Sequence, residues 1–198
     1  LDADDLWLPT KLEKQVAILE QDTIGAIGVV YSRRLWIDPK GKLIHRKERS
    51  PRRGDVLSAI FLRPFIAFSS SIVRRSTLDQ IGLFDETTQY SIDYDLWLRI
   101  ASHFHFDFVD EPLILYRTGH GNMSSRLDER ILCVRKIIYR FLNEYGGKER
   151  LEPAVIRQAL AEHLCDSAKA AGRGRFAYST GAYLRALMLH PGCSAAWR

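Results

Sequence analysis

The sequence is short of the features that mark membrane-spanning, disulfide-rich and disordered proteins. No apolar run approaches the roughly 20 residues that a helix needs to cross a bilayer. Only three of the 198 residues are cysteines, and Cys133, Cys165 and Cys193 form neither a CxxC pair nor a zinc-ligand spacing, so we expect reduced thiols. Hydrophobic residues make up 46% and charged residues 27%, a balance typical of a folded globular chain.

The net charge of +5 is the clearest bias in the composition, and part of it lies in residues 46–53, RKERSPRR. A basic surface of this kind attracts nucleic acid, anionic lipid or a phosphorylated substrate, or it is a solvated loop without a fixed partner. Aromatic residues are not interleaved with these charges, as a platform for single-stranded nucleic acid would require. We therefore expect no nucleic-acid partner.

The hydrophobic pattern changes character near residue 125. Strand-like and helix-like segments alternate up to Arg117, which predicts an α/β domain over residues 1–125. Beyond it, apolar residues recur only at helical spacing, which predicts an all-helical extension over residues 126–198. The predicted strands are 1–5, 25–31, 35–37, 42–44, 65–73, 105–109 and 113–116. In the helix expected after Pro9, Leu12, Val16 and Leu19 are predicted to face inward and Lys11 outward.

Three carboxylates open the sequence within four residues. Asp2 and Asp4 are two apart, so a strand would place both side chains on one face, with Asp5 at the strand exit. Carboxylates this close repel one another, and a divalent cation that prefers oxygen ligands relieves the repulsion. Acidic residues before a helix are also common without any metal, because a helix N-terminus favours Asp. The residues alone leave both interpretations open.

The residues around this cluster resemble glycosyltransferase family 2. Residues 1–9, LDADDLWLP, followed by Lys-Leu-Glu, are similar to the Asp-x-Asp segment of that family. There the acidic residues contact the ribose of a nucleotide sugar and hold Mg²⁺ or Mn²⁺ on its diphosphate. The resemblance implies that Asp4 and Asp5 ligate the metal and that Asp2 and Asp4 contact the nucleotide sugar.

A second match lies about ninety residues further along the chain. Residues 91–99, SIDYDLWLR, resemble the family's Glu-Asp-x-Asp-Leu-Trp-x-Arg stretch, in which the Asp of the Glu-Asp pair is the catalytic base. That residue corresponds to Asp93, whereas the preceding Glu is replaced by Ile92. Without the surrounding pattern, Asp93 would be explained as a helix N-cap. The resemblance implies that Asp93 is the base and that contacts with the acceptor differ.

Two further segments complete a resemblance that covers roughly residues 1–125. Residues 69–86 are similar to the strand and turn that precede the catalytic helix. Tyr116 and Arg117, with His120, Asn122 and Ser124, resemble the family's closing Tyr-Arg-x-His-x-x-Asn-x-Ser loop, which lies over the donor diphosphate. The resemblance implies that Arg117 and His120 bind the leaving phosphates, although a loop histidine without a role explains His120 equally well.

The resemblance also implies a fold and a reaction. The expected fold class is α/β, a partial GT-A domain followed by an all-α extension. The expected reaction is sugar transfer with inversion, in which a base takes the proton of an acceptor hydroxyl while a cation stabilises the departing nucleotide diphosphate. The family's first βαβ units, which hold the nucleotide base, would precede residue 1. We therefore expect the given chain to be N-terminally truncated and to bind nucleotide poorly or be inactive by itself.

The expected partners are a nucleotide-sugar donor and a saccharide or lipid-linked acceptor, in bacterial glycan or polysaccharide assembly. The helical extension is interpreted either as a cap on the transferase domain or as a tetratricopeptide-like helix pair, residues 158–191, that binds a protein partner. Its basic amphipathic helices would also suit an anionic membrane. We expect a cytoplasmic protein, with peripheral attachment to the inner face of the cell membrane as an alternative.

Two other functions stay open on the sequence. Ile92 in place of Glu is compatible with a degenerate transferase that serves only as a binding module. The acidic cluster is also compatible with another metal-dependent enzyme that acts on phosphates, such as a nucleotidyl transferase.

Overall fold

The fold contains one mixed sheet of five strands. The computed structural model describes residues 1–119, 127–171 and 176–196. The strands are β1 (Leu6–Trp7), β2 (Ile27–Ile37), β3 (Leu43–Ile44), β4 (Ile72–Val73) and β5 (His105–Arg117). The α-helices in these ranges are α1 (Lys11–Gln21), α2 (Leu57–Leu62), α3 (Arg75–Ile81), α4 (Ile92–Ala101), α5 (Leu127–Glu144), α6 (Gly147–Arg150), α7 (Pro153–Ala171) and α8 (Phe176–Leu189).

The two long strands, β2 and β5, run parallel at the centre of the sheet. β1 pairs antiparallel with β5, while β3 and β4 pair antiparallel with β2. The sequence predicts two strands on either side of Pro112, but β5 continues through it. The register shifts beside this residue, between the partners of Ser32 and Arg33. Such an irregularity accommodates proline, which has no N–H to donate to a ladder.

The segments of the chain alternate between two compact units. The first comprises residues 1–56, 64–84 and 99–119, and holds the sheet with α1 and α3. The second comprises residues 57–63, 85–98 and the described residues from 127 onward, and holds α2, most of α4 and the helices α5 to α8. The domain division near residue 125 stays a prediction.

The first unit has its core along the central strands. Val29, Val30, Phe106 and Ile114 are at most 1% exposed, as expected for parallel strands covered on both faces. Gly28 allows a close approach beside them. A Cβ at this position would lie 2.8 Å from Cβ of Phe104 and 3.1 Å from the methyl group of Thr77.

The regular secondary structure in the described part of the second unit is helical. On α5, Ile137, Ile138 and Phe141 are buried, and the rings of Phe141 and Phe61 lie 5.9 Å apart. α7 and α8 pack together around Ala161, Cys165, Ala186 and Cys193. Within the described residues, no strand follows Arg117. Among those residues, no helix has both the length and the apolar content needed to cross a bilayer.

The buried face of α1 is the opposite of the predicted one. Leu12 and Val16 are 48% and 40% exposed, whereas Lys11 and Gln15 are fully buried. The amide of Gln15 donates to the carbonyls of Val30 and Ser70, each over 2.9 Å. These bonds satisfy a buried polar group, so the helix can turn its polar face inward.

Lys11 completes this buried polar contact. Its Nζ donates to Oε1 of Gln15 over 2.6 Å and lies 4.1 Å from the ring centroid of Trp7. Burial lowers the pKa of Lys11 to about 8. Removal from water disfavours the charged form, which explains the direction of the change.

Candidate functional site

The acidic residues at the start of the chain lie in a turn. The predicted strand over residues 1–5 is wrong, because Asp5 donates its backbone N–H to the carbonyl of Asp2 over 3.3 Å and the strand β1 begins only at Leu6. The turn has the effect that the strand was expected to have. Asp2, Asp4 and Asp5 each offer a carboxylate oxygen, and these oxygens lie within 4.8 Å of one another.

Asp5 is the buried member of this cluster, at 5% exposed. The backbone N–H of Arg117 donates to its Oδ1 over 2.9 Å, whereas Oδ2 is buried and has no hydrogen-bond partner among the described residues. Burial raises the pKa of Asp5, and repulsion from Asp4 and Asp2 adds to the effect. The nearby hydroxyl of Ser69 and the N–H of Arg117 partly offset it.

Ser69 fixes the other side of the turn. It lies in the 3₁₀ turn Phe68–Ser70, and its Oγ accepts the backbone N–H of Asp2 over 3.0 Å. Its carbonyl accepts the indole N–H of Trp7 over 2.8 Å. The acidic turn is therefore tied to a segment more than sixty residues away. Trp7 is therefore a packing and hydrogen-bonding residue of this segment.

The guanidinium of Arg117 binds backbone carbonyls around the cluster. Its Nε donates to the carbonyl of Asp4 over 2.9 Å, and Nη1 donates to those of Asp38 and Pro39 over 3.2 and 3.1 Å. The resemblance suggested that this side chain binds phosphate. In the structure it joins the acidic turn to the β2–β3 hairpin.

Two residues beside the cluster were not identified as site residues from the sequence. The guanidinium of Arg34 lies 4.7 Å from the ring of Trp36 and 5.4 Å from that of Tyr116, and pairs with Glu48 over 3.0 Å. Burial lowers the pKa of Arg34, whereas Glu48 and, more weakly, Asp5 oppose this. Burial and then the Asp5 carboxylate raise the pKa of Tyr116. Only the parallel pairing of β2 with β5 brings these residues together, and no local motif encodes it.

Asp93 lies in the first turn of α4, in the second compact unit. Its half-buried carboxylate accepts the backbone N–H of Tyr94 through Oδ1 over 2.9 Å. The residue before the helix, Ser91, has φ = 57°, a left-handed conformation that is uncommon outside glycine. Its carbonyl accepts from the N–H groups of Tyr94 and Asp95. These two hydrogen bonds and the left-handed Ser91 fix the backbone where α4 begins, next to Asp93.

The structure therefore brings together Asp2, Asp4, Asp5 and Arg117 of the predicted site residues. Asp93 belongs to the other compact unit. The remaining one, His120, lies outside the described residues.

The donor set of the acidic turn fits a divalent cation. Three carboxylates supply the hard oxygen ligands that Mg²⁺ and Mn²⁺ prefer. The buried Oδ2 of Asp5 points to such a ligand, because a buried anionic oxygen without a partner is costly. Asp2 is exposed and Asp4 half-buried, so the cluster also opens towards solvent.

Comparisons with known proteins agree on one family. The sequence profile described as "Glycosyltransferase like family 2" matches residues 1–161. An uncharacterized glycosyltransferase of Methanocaldococcus jannaschii is 30% identical over 134 residues, which cover 67% of this chain and 46% of that protein. An uncharacterized glycosyltransferase of Rickettsia typhi is 30% identical over 121 residues, which cover 59% and 38% respectively.

Solved structures agree on the fold. TarS of S. aureus, in complex with UDP-GlcNAc, superposes with a TM-score of 0.62 at 14% identity, covering 96% of this chain and 56% of that one. A second crystal structure of the same protein gives a TM-score of 0.58 and covers 55% of that chain. The mixed sheet with its helices is therefore similar to that of a GT-A glycosyltransferase.

The chain spans less than half the length of the two uncharacterized relatives that it matches. The family match, in contrast, runs through most of the chain, from the acidic turn through α4 and α5 into α7. This chain belongs to the glycosyltransferase family 2-like proteins.

Proposed function

We propose that this chain carries metal-binding and catalytic residues of an inverting glycosyltransferase. Such an enzyme moves a sugar from a nucleotide-diphosphate donor to a hydroxyl group of an acceptor. The observation that carries the proposal is the acidic turn. Its three carboxylates lie within 4.8 Å of one another, and the buried Oδ2 of Asp5 has no hydrogen-bond partner among the described residues. Family membership supports sugar transfer as the reaction.

In this proposal Asp4 and Asp5 hold Mg²⁺ or Mn²⁺, and Asp2 and Asp4 contact the nucleotide sugar. The cation, when bound, neutralises charge on the departing diphosphate. The protein's own contribution is to hold the carboxylates together against their repulsion. The Arg117 N–H and the Ser69 hydroxyl perform this by fixing the two sides of the turn.

Asp93 is the proposed general base. In an inverting transfer the acceptor oxygen bonds to the anomeric carbon as the bond to the diphosphate oxygen breaks on the opposite face, and Asp93 takes the hydroxyl proton. Its position in the first turn of α4 favours the ionised carboxylate that this role needs, because helix N-termini stabilise negative charge. An ionised aspartate is a weak base, so proton transfer occurs late, when the hydroxyl has become acidic.

Arg117 and His120 are proposed to face the leaving phosphates. For Arg117, the contacts with three backbone carbonyls support a second role, in which it holds the acidic turn to the β2–β3 hairpin. The proposed donor is a nucleotide-diphosphate sugar, in line with the fold neighbour crystallised with UDP-GlcNAc. The proposed acceptor is a saccharide or a lipid-linked saccharide, in bacterial polysaccharide assembly at the inner face of the membrane.

Calorimetric titration with MnCl₂ tests the metal site. We expect the wild-type chain to bind Mn²⁺ and Asp5→Asn to weaken binding by about tenfold or more, since a ligand charge is lost. Asp38→Asn is the matched control, because it makes the same charge change in the β2–β3 hairpin turn. There the Asp38 carboxylate accepts the N–H groups of Lys40 and Lys42. Equal Mn²⁺ affinity in wild type and Asp5→Asn would contradict the proposal.

Product analysis with UDP-GlcNAc as the probe donor, on the full-length protein that contains this chain, tests the reaction. Asp93→Asn should lower turnover by roughly 10²–10⁴-fold, the usual contribution of a general base. A binding module without activity predicts no difference between Asp93→Asn and wild type. A nucleotidyl transferase predicts release of pyrophosphate or a nucleotidylated product instead of a glycoside with inverted configuration.

A further inference from the structure

A single side chain of α5 reaches acidic residues in two other segments of the second compact unit. Arg140 donates through Nη1 to the carboxylate of Asp85, in the turn that leads towards α4. Through Nη2 it donates to Oδ1 of Asp95, on α4 itself, over 2.6 Å. One guanidinium therefore joins α5, the turn and α4.

The three side chains form a largely buried charge network. Asp95 is only 3% exposed, and Arg140 and Asp85 are 22% and 19% exposed. A carboxylate buried as deeply as that of Asp95 needs a hydrogen-bonded counter-ion. Burial alone would lower the pKa of Arg140, but the hydrogen bonds to Asp95 and Asp85 raise it above its ordinary value. Arg140 is therefore charged at every physiological pH.

Asp85 also organises the turn in which it lies. Its carboxylate accepts the N–H of Thr87 over 2.9 Å, and the hydroxyls of Thr87 and Thr88 over 2.7 and 2.9 Å. These bonds to Thr87, with the one to Arg140, hold the pKa of Asp85 well below its ordinary value. The Asp85 carboxylate thus holds both the turn that precedes α4 and the guanidinium of Arg140.

Both residues that follow Asp93 are anchored to other helices. The hydroxyl of Tyr94 donates to the carbonyl of Phe61, on α2, over 2.9 Å, and Asp95 is held by Arg140. We propose that Arg140 is a positioning residue, which fixes the first turn of α4 and through it the carboxylate of Asp93. The proposal rests on the proposed function, in which Asp93 is the base.

This role changes the interpretation of α5. The sequence pattern places α5 in a helical extension that begins at residue 126, with a cap on the transferase domain as one interpretation, whereas the family profile continues through α5 to residue 161. A helix that holds the base-bearing helix is part of the catalytic machinery rather than a cover for it.

The test follows the Tyr94 amide by NMR in the full chain with Arg140→Met. Because Oδ1 of Asp93 accepts from this amide, its chemical shift follows ionisation of Asp93, and Asp93→Asn identifies that titration. We expect Arg140→Met to reduce the titration amplitude by about half or more and to speed exchange of the Asp95 amide by about tenfold. Arg140→Lys keeps the charge without the two-pronged geometry and should recover part of both.

Arg63→Met is the matched control. It removes an arginine of the same unit, whose Nε pairs with Glu162 over 2.8 Å, without touching α4. We expect a loss of stability with unchanged Tyr94 titration. The proposal is overturned if Arg140→Met keeps the wild-type amplitude and exchange rate, or if Arg63→Met changes them equally. If Arg140→Met does not fold, Asp95→Asn tests the same contact with the same expected result.

These NMR readouts need neither donor nor metal. Absent Mn²⁺ binding in the wild-type chain would contradict the proposed metal site and leave the result for Arg140 interpretable. Where turnover of UDP-GlcNAc is measured, Arg140→Met should lower kcat about tenfold with the donor KM within about twofold, since it disturbs the base rather than donor binding.

Discussion

The backbone N–H of Arg117 donates to Oδ1 of Asp5 over 2.9 Å, and the side chain of the same arginine holds the carbonyl of Asp4. The last residue of β5 therefore fixes two consecutive aspartates of the acidic turn. The main-chain bond does not depend on the side chain at this position, so a side-chain substitution that keeps the backbone N–H measures the contribution of the guanidinium separately.

Arg117→Met should loosen the acidic turn without removing a carboxylate. It leaves the carbonyls of Asp4, Asp38 and Pro39 without their charged donor, and we expect the free energy of unfolding to fall by about 1–3 kcal/mol. Mn²⁺ affinity should fall as well. Urea unfolding and calorimetry measure the two effects. The control is Arg75→Met, which removes an exposed ion pair with Asp79 and should leave stability nearly unchanged.

Lys11 should make stability rise with pH above about 8. Its pKa is about 8 in the folded chain against an ordinary value of 10.5, so between these values the unfolded chain binds more protons and folding is favoured as pH increases. Below pH 8 both states are protonated and the full cost of the buried charge is present. In urea unfolding at pH 7 and pH 10, wild type should gain about 1–3 kcal/mol relative to Lys11→Met. A difference between the two proteins that does not change with pH would contradict a buried, titrating lysine.

Gly28→Ala should be strongly destabilising. Its Cβ would meet Cβ of Phe104 at 2.8 Å and the methyl group of Thr77 at 3.1 Å, so the strand or α3 must move, at a cost of about 1–3 kcal/mol. Gly181→Ala is the opposite case, because nothing lies within 4 Å of a Cβ there and the residue is inside α8. We expect it to stabilise by about 0.5–1 kcal/mol. Thermal unfolding of the two variants should therefore move in opposite directions.

Cys165 and Cys193 should form a disulfide when oxidised. Their sulfur atoms lie 3.6 Å apart and both residues are buried, so a small movement reaches the bonding distance of about 2 Å. Burial raises the pKa of Cys165 to about 12, so oxidation by diamide should be slow at pH 7 and faster as pH rises. Intact mass should fall by about 2 Da as two thiol hydrogens are lost. Cys133→Ser should show the same fall in mass as wild type, and Cys165→Ser should not show it. The reverse result would contradict the pairing of Cys165 with Cys193.

The elements best predicted from the sequence are those with strong local signals. Apolar residues at helical spacing predict α4 and α8, and Gly82 ends α3 with φ = 88°, as a glycine at a helix C-terminus predicts. The hairpin turn 38–41 is likewise local. In each case neighbouring residues alone decide the structure.

The errors lie where distant contacts decide. Lys11 and Gln15 are buried because the carbonyls of Val30 and Ser70 accept from Gln15. The spacing of apolar residues along α1 carries no information about these distant carbonyls. The acidic turn was predicted as a strand, yet its three carboxylates still converge, because Ser69 and Arg117 hold both ends. Arg34 and Arg140 were missed for the same reason. Each acts through residues that are far away in sequence.

The parallel pairing of β2 with β5 also bears on how the protein reaches its native state. It joins residues about eighty positions apart, from Ile27 with His105 to Ile37 with Arg117. Chain entropy must be lost to close so long a loop before the β2–β5 pairing stabilises the fold. In contrast, α7 and α8 are close in sequence and can form and dock locally. The helices should therefore appear early in refolding and the sheet late. Until β5 arrives, the edge of β2 is open to association with other chains, so refolding yield should fall as protein concentration rises.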